Sequence, residues 1–328
     1  MTLSSCHPGF DTAAIGDAMK AMRYHTYGDS DVLVHEEAKR PAAGPGQVLL
    51  RVAGTSFNML DVALRAGILR ATVPLTFPHV PNCDVAGVVV EVGDGVAGWH
   101  AGDPVIALLP PDAPGAAADY VVAPAEALAA APGAVDLADA SALPLAGLTA
   151  WQALFEYAEL RSGHRLLING AGGGVGGYAV QLAVRAGAVV TATASARSRD
   201  RVTAYGATRI IDYATTPIRR AVGDQRFDTV LQLVRDTPEQ TALLADLVAD
   251  GGTFVSTATP GPGDPGRDVR VRQVLVRSDA AQLAELAARV DAGQIRIDVA
   301  RRRPLRELAT VHDEAVAGRL AGKTVLIP

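Results

Sequence analysis

The chain has 328 residues, of which 49% are hydrophobic, 20% charged and 5% aromatic, and its net charge is −5. This length and composition indicate a globular protein of about two domains. The negative net charge gives no electrostatic basis for binding nucleic acid or an anionic membrane surface.

The first 18 residues precede the first predicted strand, Lys20–Tyr24. They lack the basic start and the continuous apolar stretch of a signal peptide, so we interpret them as a leader and expect it to pack against the folded chain. No apolar run in the sequence is long enough to span a membrane. The two cysteines, Cys6 and Cys83, cannot build a disulfide framework, which favours the reducing cytoplasm.

Short apolar segments, separated by turn signals such as Gly44-Pro45-Gly46, continue to about residue 135. This texture predicts an all-β domain. After the first strand, we predict strands at Val32–His35, Gln47–Val52, Val85–Val92, Val105–Leu108 and Tyr120–Val122.

Helix-compatible and strand-compatible segments then alternate, beginning with a predicted helix at Ala138–Leu160. The alternation predicts a parallel sheet covered by helices on both faces. The predicted strands are Arg165–Asn169, Val189–Ala194, Arg209–Ile211, Phe227–Leu233, Gly252–Thr257 and Arg270–Val276. The predicted helices are Val175–Ala186, Ser198–Tyr205, Pro238–Asp250 and Ala280–Ala292. The remaining tail is too short to fold alone, so we expect it to return to the β-rich domain.

Five glycines fall between residues 170 and 176, where a predicted strand ends and a helix begins. Glycine lets the backbone turn sharply and approach a pyrophosphate, which the helix N-terminus binds through its free N–H groups. A glycine-rich turn without a ligand is the alternative, but the flanking strand and helix favour a dinucleotide site. The predicted contacts are Ala171, Gly172, Gly173, Gly174, Val175 and Gly176.

The segment after the second strand of this alternating region indicates which dinucleotide binds. A site for NAD places Asp or Glu about 20 residues after the glycines, but no acidic residue lies between Glu159 and Asp200. Ser195, Arg197 and Ser198 stand there instead, and hydroxyl and guanidinium groups suit a 2′-phosphate. The sequence therefore predicts NADPH as the cofactor.

In these features the chain resembles the zinc-independent quinone-oxidoreductase branch of the medium-chain dehydrogenase/reductase family. The resemblance extends from Lys20 to the end of the chain. It rests on Gly46-Gln-Val-Leu-Leu-Arg-Val, Pro81-Asn-Cys-Asp-Val-Ala-Gly-Val-Val, Leu145-Ala-Gly-Leu-Thr-Ala-Trp-Gln-Ala-Leu, Ala171-Gly-Gly-Gly-Val-Gly, Gly206-Ala-Thr-Arg-Ile-Ile-Asp-Tyr and Gly322-Lys-Thr-Val-Leu-Ile.

The resemblance implies a fold of class α/β plus β, with two domains and the active site in the cleft between them. A discontinuous GroES-like β-barrel catalytic domain is expected at residues 1–136 and 288–328, and a Rossmann NADPH-binding domain at residues 137–287. Thr149 is then expected near the nicotinamide and Tyr213 near the adenine ribose phosphate. Gln232 and Thr257, near the ends of two Rossmann strands, complete the predicted cofactor contacts.

Zinc-containing relatives hold a catalytic metal at three positions that correspond here to Asn58, Cys83 and Leu145. Only Cys83 is able to ligate zinc, and one ligand does not make a tetrahedral site. The sequence therefore predicts a metal-independent enzyme. Relatives also commonly have Gly where this chain has Asn82, and Tyr near Leu69, so the resemblance does not predict the proton donor.

Asn58 is the predicted catalytic residue, because its amide is able to donate to an oxygen on which negative charge develops. A turn-forming role for this Asn is the alternative. Asp61 and Arg65, four residues apart, are expected to form a salt bridge on the following helix.

Together these features predict an NADPH-dependent, metal-free oxidoreductase that transfers hydride to a quinone, an enone or an enoyl thioester. A zinc-independent alcohol dehydrogenase and an NADPH-binding protein without turnover are the alternatives. The predicted partner is a small apolar conjugated substrate, with no nucleic acid and no membrane. The alternating residues Arg270–Val276 resemble an exposed edge strand, which predicts a homodimer.

Overall fold

The computed structural model describes residues 17–263 and 266–328. The expectation that the leader packs against the folded chain concerns residues outside this part and stays a prediction. No helix within the described residues is both long enough and apolar enough to cross a membrane.

The amino-terminal part is built from antiparallel strands. The first two form a separate two-stranded sheet, β1 (Ala18–Arg23) with β2 (Val34–Lys39). The others are β3 (Gln47–Ser56), β4 (Asp84–Val92), β5 (Pro104–Leu108), β6 (Tyr120–Pro124) and β7 (Leu128–Ala130), with the short helix α1 (Met59–Arg65) after β3. Strand β3 pairs with both β4 and β6, and β4 continues the sheet to β5 and β7.

The middle of the chain forms a six-stranded parallel sheet in the order β10-β9-β8-β11-β12-β13. Its strands are β8 (Arg165–Asn169), β9 (Val189–Ala194), β10 (Arg209–Asp212), β11 (Phe227–Gln232), β12 (Val248–Ser256) and β13 (Arg270–Gln273). The chain winds outward from β8 in one direction and then crosses to β11 to wind in the other. This Rossmann topology opens a crevice at the carboxyl ends of β8 and β11, where dinucleotides bind.

The helices of this region match the predicted bounds to within two residues in three cases and depart from them in two. They are α2 (Leu137–Ala140), α3 (Pro144–Trp151), α4 (Gly174–Arg185), α5 (Ala196–Ala204), α6 (Ile218–Val222), α7 (Pro238–Ala245) and α8 (Ala280–Asp291). The single helix expected at Ala138–Leu160 is wrong, because Pro144 has no N–H to donate and begins a new helix instead. The helix expected at Pro238–Asp250 ends early, since Val248 already pairs with Phe227 in the sheet.

The tail returns to the amino-terminal sheet, as the sequence predicts. It contributes β14 (Val299–Pro304), helix α9 (Leu308–Val316) and β15 (Lys323–Ile327). Strand β15 pairs with β14 and, antiparallel, with β3, which completes a seven-stranded sheet. The residues at which the two domains divide remain a prediction.

One apolar core joins the two halves of the molecule. Cys83 and Ile106 of the β-rich half and Leu166 and Ile168 of the parallel sheet belong to the same buried cluster. Helix α3 lies within that cluster, where Leu148 is fully buried. The cleft between the halves therefore rests on a continuous packed floor.

Candidate active site and cofactor cleft

The glycine loop between β8 and α4 has the backbone geometry that a phosphate cradle requires. Gly170 takes a φ of +96°, in the left-handed region that favours glycine. A Cβ on Gly176 would lie 2.3 Å from the carbonyl oxygen of Gly170, so only glycine lets α4 pack this closely against the strand. The first turn of α4 leaves N–H groups without intrahelical partners at the carboxyl edge of the sheet. These residues fit a dinucleotide pyrophosphate.

Two side chains of α5 fix the outer part of this loop. A Cβ on Gly172 would lie 2.4 Å from Ser198 Oγ, so the buried Ser198 supports the loop from below. Arg201 donates from Nη2 to the carbonyl oxygen of Gly172 at 2.8 Å and from Nη1 to that of Ala321 at 3.2 Å. Arg201 therefore links the cofactor loop to the tail, a role that sequence reasoning missed.

A buried chain of polar side chains runs beneath the loop, across the carboxyl ends of three strands. Asn169 donates to Gln232 Oε1 at 2.7 Å and accepts from Thr193 Oγ1 at 2.7 Å. Thr193 in turn accepts the backbone N–H of Gly170 at 2.9 Å. The Nε2 of Gln232 is buried without a partner among the described residues. This donor at the switch point of the sheet fits a ligand that brings a hydrogen-bond acceptor.

The predicted contacts for the adenine ribose lie at the ends of neighbouring strands β9 and β10. Ser195 is the N-cap of α5, and Arg197 is exposed, with one long contact of 3.5 Å to the carbonyl oxygen of Gly318. Tyr213, directly after β10, is 55% exposed. The sheet also brings a carboxylate here, because Asp212 lies beside Ala194, but Arg199 pairs with it at 3.5 Å. Arg197 has no carboxylate partner among the described residues, and its role in binding a 2′-phosphate stays a prediction.

The predicted nicotinamide contacts come from α3 and from the ends of β11 and β12. Thr149 is buried and donates to the carbonyl oxygen of Leu145 one turn earlier, at 2.7 Å. Thr257 directly follows β12 and donates its N–H to the carbonyl oxygen of Gln232 at 3.1 Å. The fold places Thr149, Gln232 and Thr257 on the elements that flank the crevice. Their role as cofactor contacts stays a prediction.

A cavity of about 490 Å³ opens between the two halves. Its walls are mostly apolar and include Leu60, Leu109, Pro110, Leu145 and Val276. The residues contributed by the parallel-sheet half follow the carboxyl end of β13, at the same edge of the sheet as the glycine loop. The cavity is therefore positioned to hold an apolar substrate beside a dinucleotide.

Two of the three positions that correspond to zinc ligands, Cys83 and Leu145, line this cavity. Burial and the nearby carboxylates of Asp61, Asp84 and Asp112 raise the pKa of the Cys83 thiol well above its usual value. In the described part of the chain, no three His, Cys, Asp or Glu side chains converge as a metal site. That the protein is active without a metal remains a prediction.

Asn58, the predicted catalytic residue, lies in a buried polar network. Its Nδ2 donates to Asp84 Oδ2 at 2.8 Å and to the carbonyl oxygen of Ser56 at 3.3 Å, and its Oδ1 accepts from Lys323 Nζ at 2.8 Å. Leu60, two residues further along, lines the cavity, whereas Asn58 is 8% exposed. The turn-forming role is also present, since Asn58 caps α1. Its catalytic role stays a prediction.

Lys323 and Asp84 are the charged centre of this network. Lys323 Nζ lies 3.3 Å from Asp84 Oδ2, and the opposite oxygen Oδ1 accepts the N–H of Leu145 at 2.7 Å, near the start of α3. Burial lowers the pKa of Lys323, and the charge of Asp84 partly offsets this effect. The aliphatic stem of Lys323 packs against the cofactor helix, since a Cβ on Gly174 would lie 2.8 Å from its Cδ. Sequence reasoning missed this pair, because its members lie 239 residues apart.

Asp61 and Arg65 do not form the predicted salt bridge among the described residues, so that prediction is wrong. Asp61 accepts the backbone N–H of Asn58 at 2.7 Å, and burial raises its pKa to about 7. Arg65 instead donates to the buried His312 at 3.2 Å and to the carbonyl oxygen of Gly28 at 2.8 Å. Both side chains face the packed interior rather than solvent, so tertiary contacts replace the helical pair.

Comparison with known proteins agrees with this architecture. Residues 44–133 match the family model of the alcohol dehydrogenase GroES-like domain, and residues 205–326 match that of zinc-binding dehydrogenases. A chloroplast envelope quinone oxidoreductase homolog from Arabidopsis thaliana is 32% identical, over 95% of this chain and 99% of the relative. A chloroplastic NADPH-dependent alkenal/one oxidoreductase from the same plant is 34% identical, over 75% and 68% of the two chains.

A solved structure shows the same likeness along the whole fold. The quinone oxidoreductase from Coxiella burnetii superimposes with a TM-score of 0.87 at 29% identity and covers 95% of this chain and 99% of its own. The chain belongs to the medium-chain dehydrogenase/reductase family, in its quinone-oxidoreductase branch.

Proposed function

We propose that the chain is an NADPH-dependent reductase that transfers hydride to a quinone or to a conjugated carbon–carbon double bond, without a metal. The apolar cavity at the carboxyl edge of the Rossmann sheet carries this proposal, because its wall holds Cys83 and Leu145 where a metal site would need ligands. The family supports a nicotinamide dinucleotide as the cofactor. The names of the relatives also support this class of acceptor.

When bound in the crevice, the nicotinamide ring would supply hydride. The chain would contribute position and environment: the glycine loop would hold the pyrophosphate, and the apolar walls would keep water away from the acceptor. Without a Lewis acid, hydride is best accepted by a carbon that conjugation already activates, since the negative charge then spreads onto an oxygen. The oxygens of a reduced quinone take their protons from water once the product leaves the cavity, so no dedicated acid is needed, whereas a reduced enone also takes a proton at its α-carbon.

The test is NADPH oxidation at 340 nm with a panel of quinones, enones and saturated ketones. We expect turnover of quinones and enones and none of saturated ketones. Reduction of the ketones instead would favour an alcohol dehydrogenase. Tight binding of NADPH with no oxidation by any acceptor would favour a binding protein without turnover.

We propose that Asn58 stabilises the acceptor oxygen as charge develops on it. Both hydrogens of its Nδ2 are engaged with Asp84 and Ser56, so an acceptor oxygen must replace one of these bonds. Asn58→Ala should lower kcat/KM by about tenfold to a thousandfold while NADPH affinity barely changes. Full activity in the variant would reject this role. Chelation should leave the activity of the unmodified protein intact.

The preference for NADPH over NADH rests on Arg197, which is exposed two residues after Ser195, whereas Arg199 is paired with Asp212. One or two charge-assisted hydrogen bonds to the 2′-phosphate give about a tenfold preference or more. Arg197→Glu should narrow or invert the ratio of the two dissociation constants. Arg306→Glu, which reverses an exposed charge in the tail, is the control. Equal affinities in the unmodified protein would reject the preference.

We further propose a two-fold homodimer with β13 strands adjacent. Strand β13 is an edge of the parallel sheet, and Leu275, just beyond it, is 77% exposed. Exposed edges are usually covered or paired. Light scattering at micromolar concentration should give twice the chain mass, and a monomer would refute the proposal.

A cytoplasmic location is proposed from the cysteine content alone. Two relatives that match this chain are named as chloroplast proteins. Fractionation of the source cell decides between compartments.

A further inference from the structure

We propose that the acceptor cleft selects uncharged acceptors, and that Glu156 enforces this selection by neutralising Arg277 on the cavity wall. The inference rests on the proposed function and narrows its substrate class. Neutral quinones and enones would bind in the cleft, whereas acceptors that carry a carboxylate or a phosphorylated thioester carrier would bind more weakly.

Arg277 is the single cationic side chain among the described residues that line the cavity. Its guanidinium is held by a bidentate pair, with Nη1 at 2.6 Å from Glu156 Oε2 and Nη2 at 2.8 Å from Glu156 Oε1. A third contact joins Nη2 to Asp279 Oδ2 at 3.3 Å. Three of the five N–H donors that could bind an anionic substrate are therefore already engaged with carboxylates.

The carboxylate of Glu156 is fixed in this position by its neighbours. Gln282 donates from Nε2 to Glu156 Oε1 at 2.5 Å. Gln152 holds the backbone of Arg277 on both sides, accepting its N–H at 3.1 Å and donating to its carbonyl oxygen at 3.0 Å. The arginine is thus anchored at its backbone and at its head group, which opposes a swing toward substrate.

The remaining charges around the cavity are negative. Glu126 and Asp279 line it, so the carboxylates outnumber the one cation even before Glu156 is counted. An anionic group on the acceptor would enter an apolar cavity whose described lining holds two carboxylates and one cation, which is already paired.

The probes are a matched pair of enones, benzalacetone carrying a para-carboxylate and the methyl ester of the same acid. Equilibrium binding to the NADP⁺ complex is measured by calorimetry, where no turnover occurs, and NADPH oxidation is measured separately. We expect the ester to bind at least about tenfold tighter than the acid at low salt, with a smaller ratio in high salt because exposed charges are screened.

Two variants should move this ratio in opposite directions. Glu156→Gln removes the bidentate carboxylate partner of Arg277, which leaves only the longer contact with Asp279, and should narrow the preference for the ester by about threefold or more. Arg277→Gln leaves the carboxylates unopposed and should widen the preference. Glu37→Gln is the control, because it removes one carboxylate from an exposed pair with Lys20 on the two-stranded sheet and should leave the ratio unchanged.

The outcomes separate this inference from the proposed function. An ester that binds no tighter than the acid overturns the selection for uncharged acceptors, and a ratio that Glu156→Gln leaves unmoved overturns the role of Glu156. If the ester binds selectively but does not oxidise NADPH, the selection stands and the proposed hydride transfer fails.

Discussion

At the residue scale, the pair Lys323–Asp84 has the largest predicted effect on stability. Both side chains are buried, and removing one partner leaves the other charge uncompensated. Lys323→Met should lower the free energy of unfolding by about 3–5 kcal/mol. Chemical denaturation measures this, with Lys20→Met as the control, since the exposed pair Lys20–Glu37 contributes about 1 kcal/mol or less.

The double variant Asp84→Asn/Lys323→Met should recover part of the loss, because no unpaired charge remains. If Lys323→Met is no less stable than Lys20→Met, the buried pair Lys323–Asp84 contributes no more to the stability of the fold than the exposed pair Lys20–Glu37.

Asp61 gives the network a dependence on pH. Its pKa of about 7 in the folded chain lies above the ordinary value of 3.8, so folding favours the protonated form. The contribution to stability is complete below the unfolded pKa and is lost as pH rises through about 7. Asp61→Asn should therefore gain stability relative to the unmodified protein between pH 5 and pH 8.

Denaturation curves at these two pH values test the prediction, and Asp94→Asn, at an exposed turn, is the control. A stability difference for Asp61→Asn that does not change with pH would contradict the burial of an ionisable carboxyl at this site.

How far single residues could be predicted depends on whether their role is local. The positions of Ser195 and Arg197 in the fold could be predicted from the sequence, because both lie just after the end of a strand. Asn82 replaces the Gly of relatives and takes a φ of +72°, which Asn tolerates better than most residues. The pairing of Lys323 with Asp84 and of Arg65 with His312 could not be predicted, since each depends on the tail returning to the first half of the chain.

At the element scale, the close packing of α4 against the glycine loop predicts a loss of cofactor binding in Gly176→Ala. The added Cβ would lie 2.3 Å from the Gly170 carbonyl oxygen and 2.5 Å from Ala171 Cα, so the loop must move. We expect NADPH affinity to fall by about tenfold or more, which corresponds to about 1.4 kcal/mol. Titration of NADPH fluorescence measures this.

Gly133→Ala is the matched control, because a Cβ there has no neighbour within 4 Å and its φ is not in the left-handed region. Unchanged NADPH affinity in Gly176→Ala would show that the loop does not hold the pyrophosphate in this conformation.

The bounds of two strands in the parallel sheet could be predicted from the sequence, but a break between two helices could not. Arg165–Asn169 and Val189–Ala194 have the predicted bounds, because a short apolar run between turn residues marks a buried parallel strand. The helix predicted at Ala138–Leu160 failed because an apolar face continues through the break before Pro144. Apolar periodicity indicates which side of a helix is buried. It does not indicate where one helix ends and another begins along a different axis.

At the scale of the whole molecule, the order of β and α/β segments is sufficient to predict two architectures and the return of the tail. It is not sufficient to predict that one core joins them, with Cys83 and Leu166 in the same cluster. That packing depends on contacts between distant segments. It also determines the cavity, whose walls come from both halves, and this is why the lining residues Glu126 and Arg277 were absent from the predicted site.

The central claim is hydride transfer from NADPH to a conjugated acceptor in this cavity, and isotope transfer tests it most directly. NADPH deuterated at each of the two C4 positions in turn is incubated with the protein and a neutral enone, and the product is analysed by mass spectrometry and NMR. We predict one deuterium at the β-carbon of the saturated ketone from one of the two labelled forms. Product without label from either form, or label at the carbonyl carbon, would contradict it.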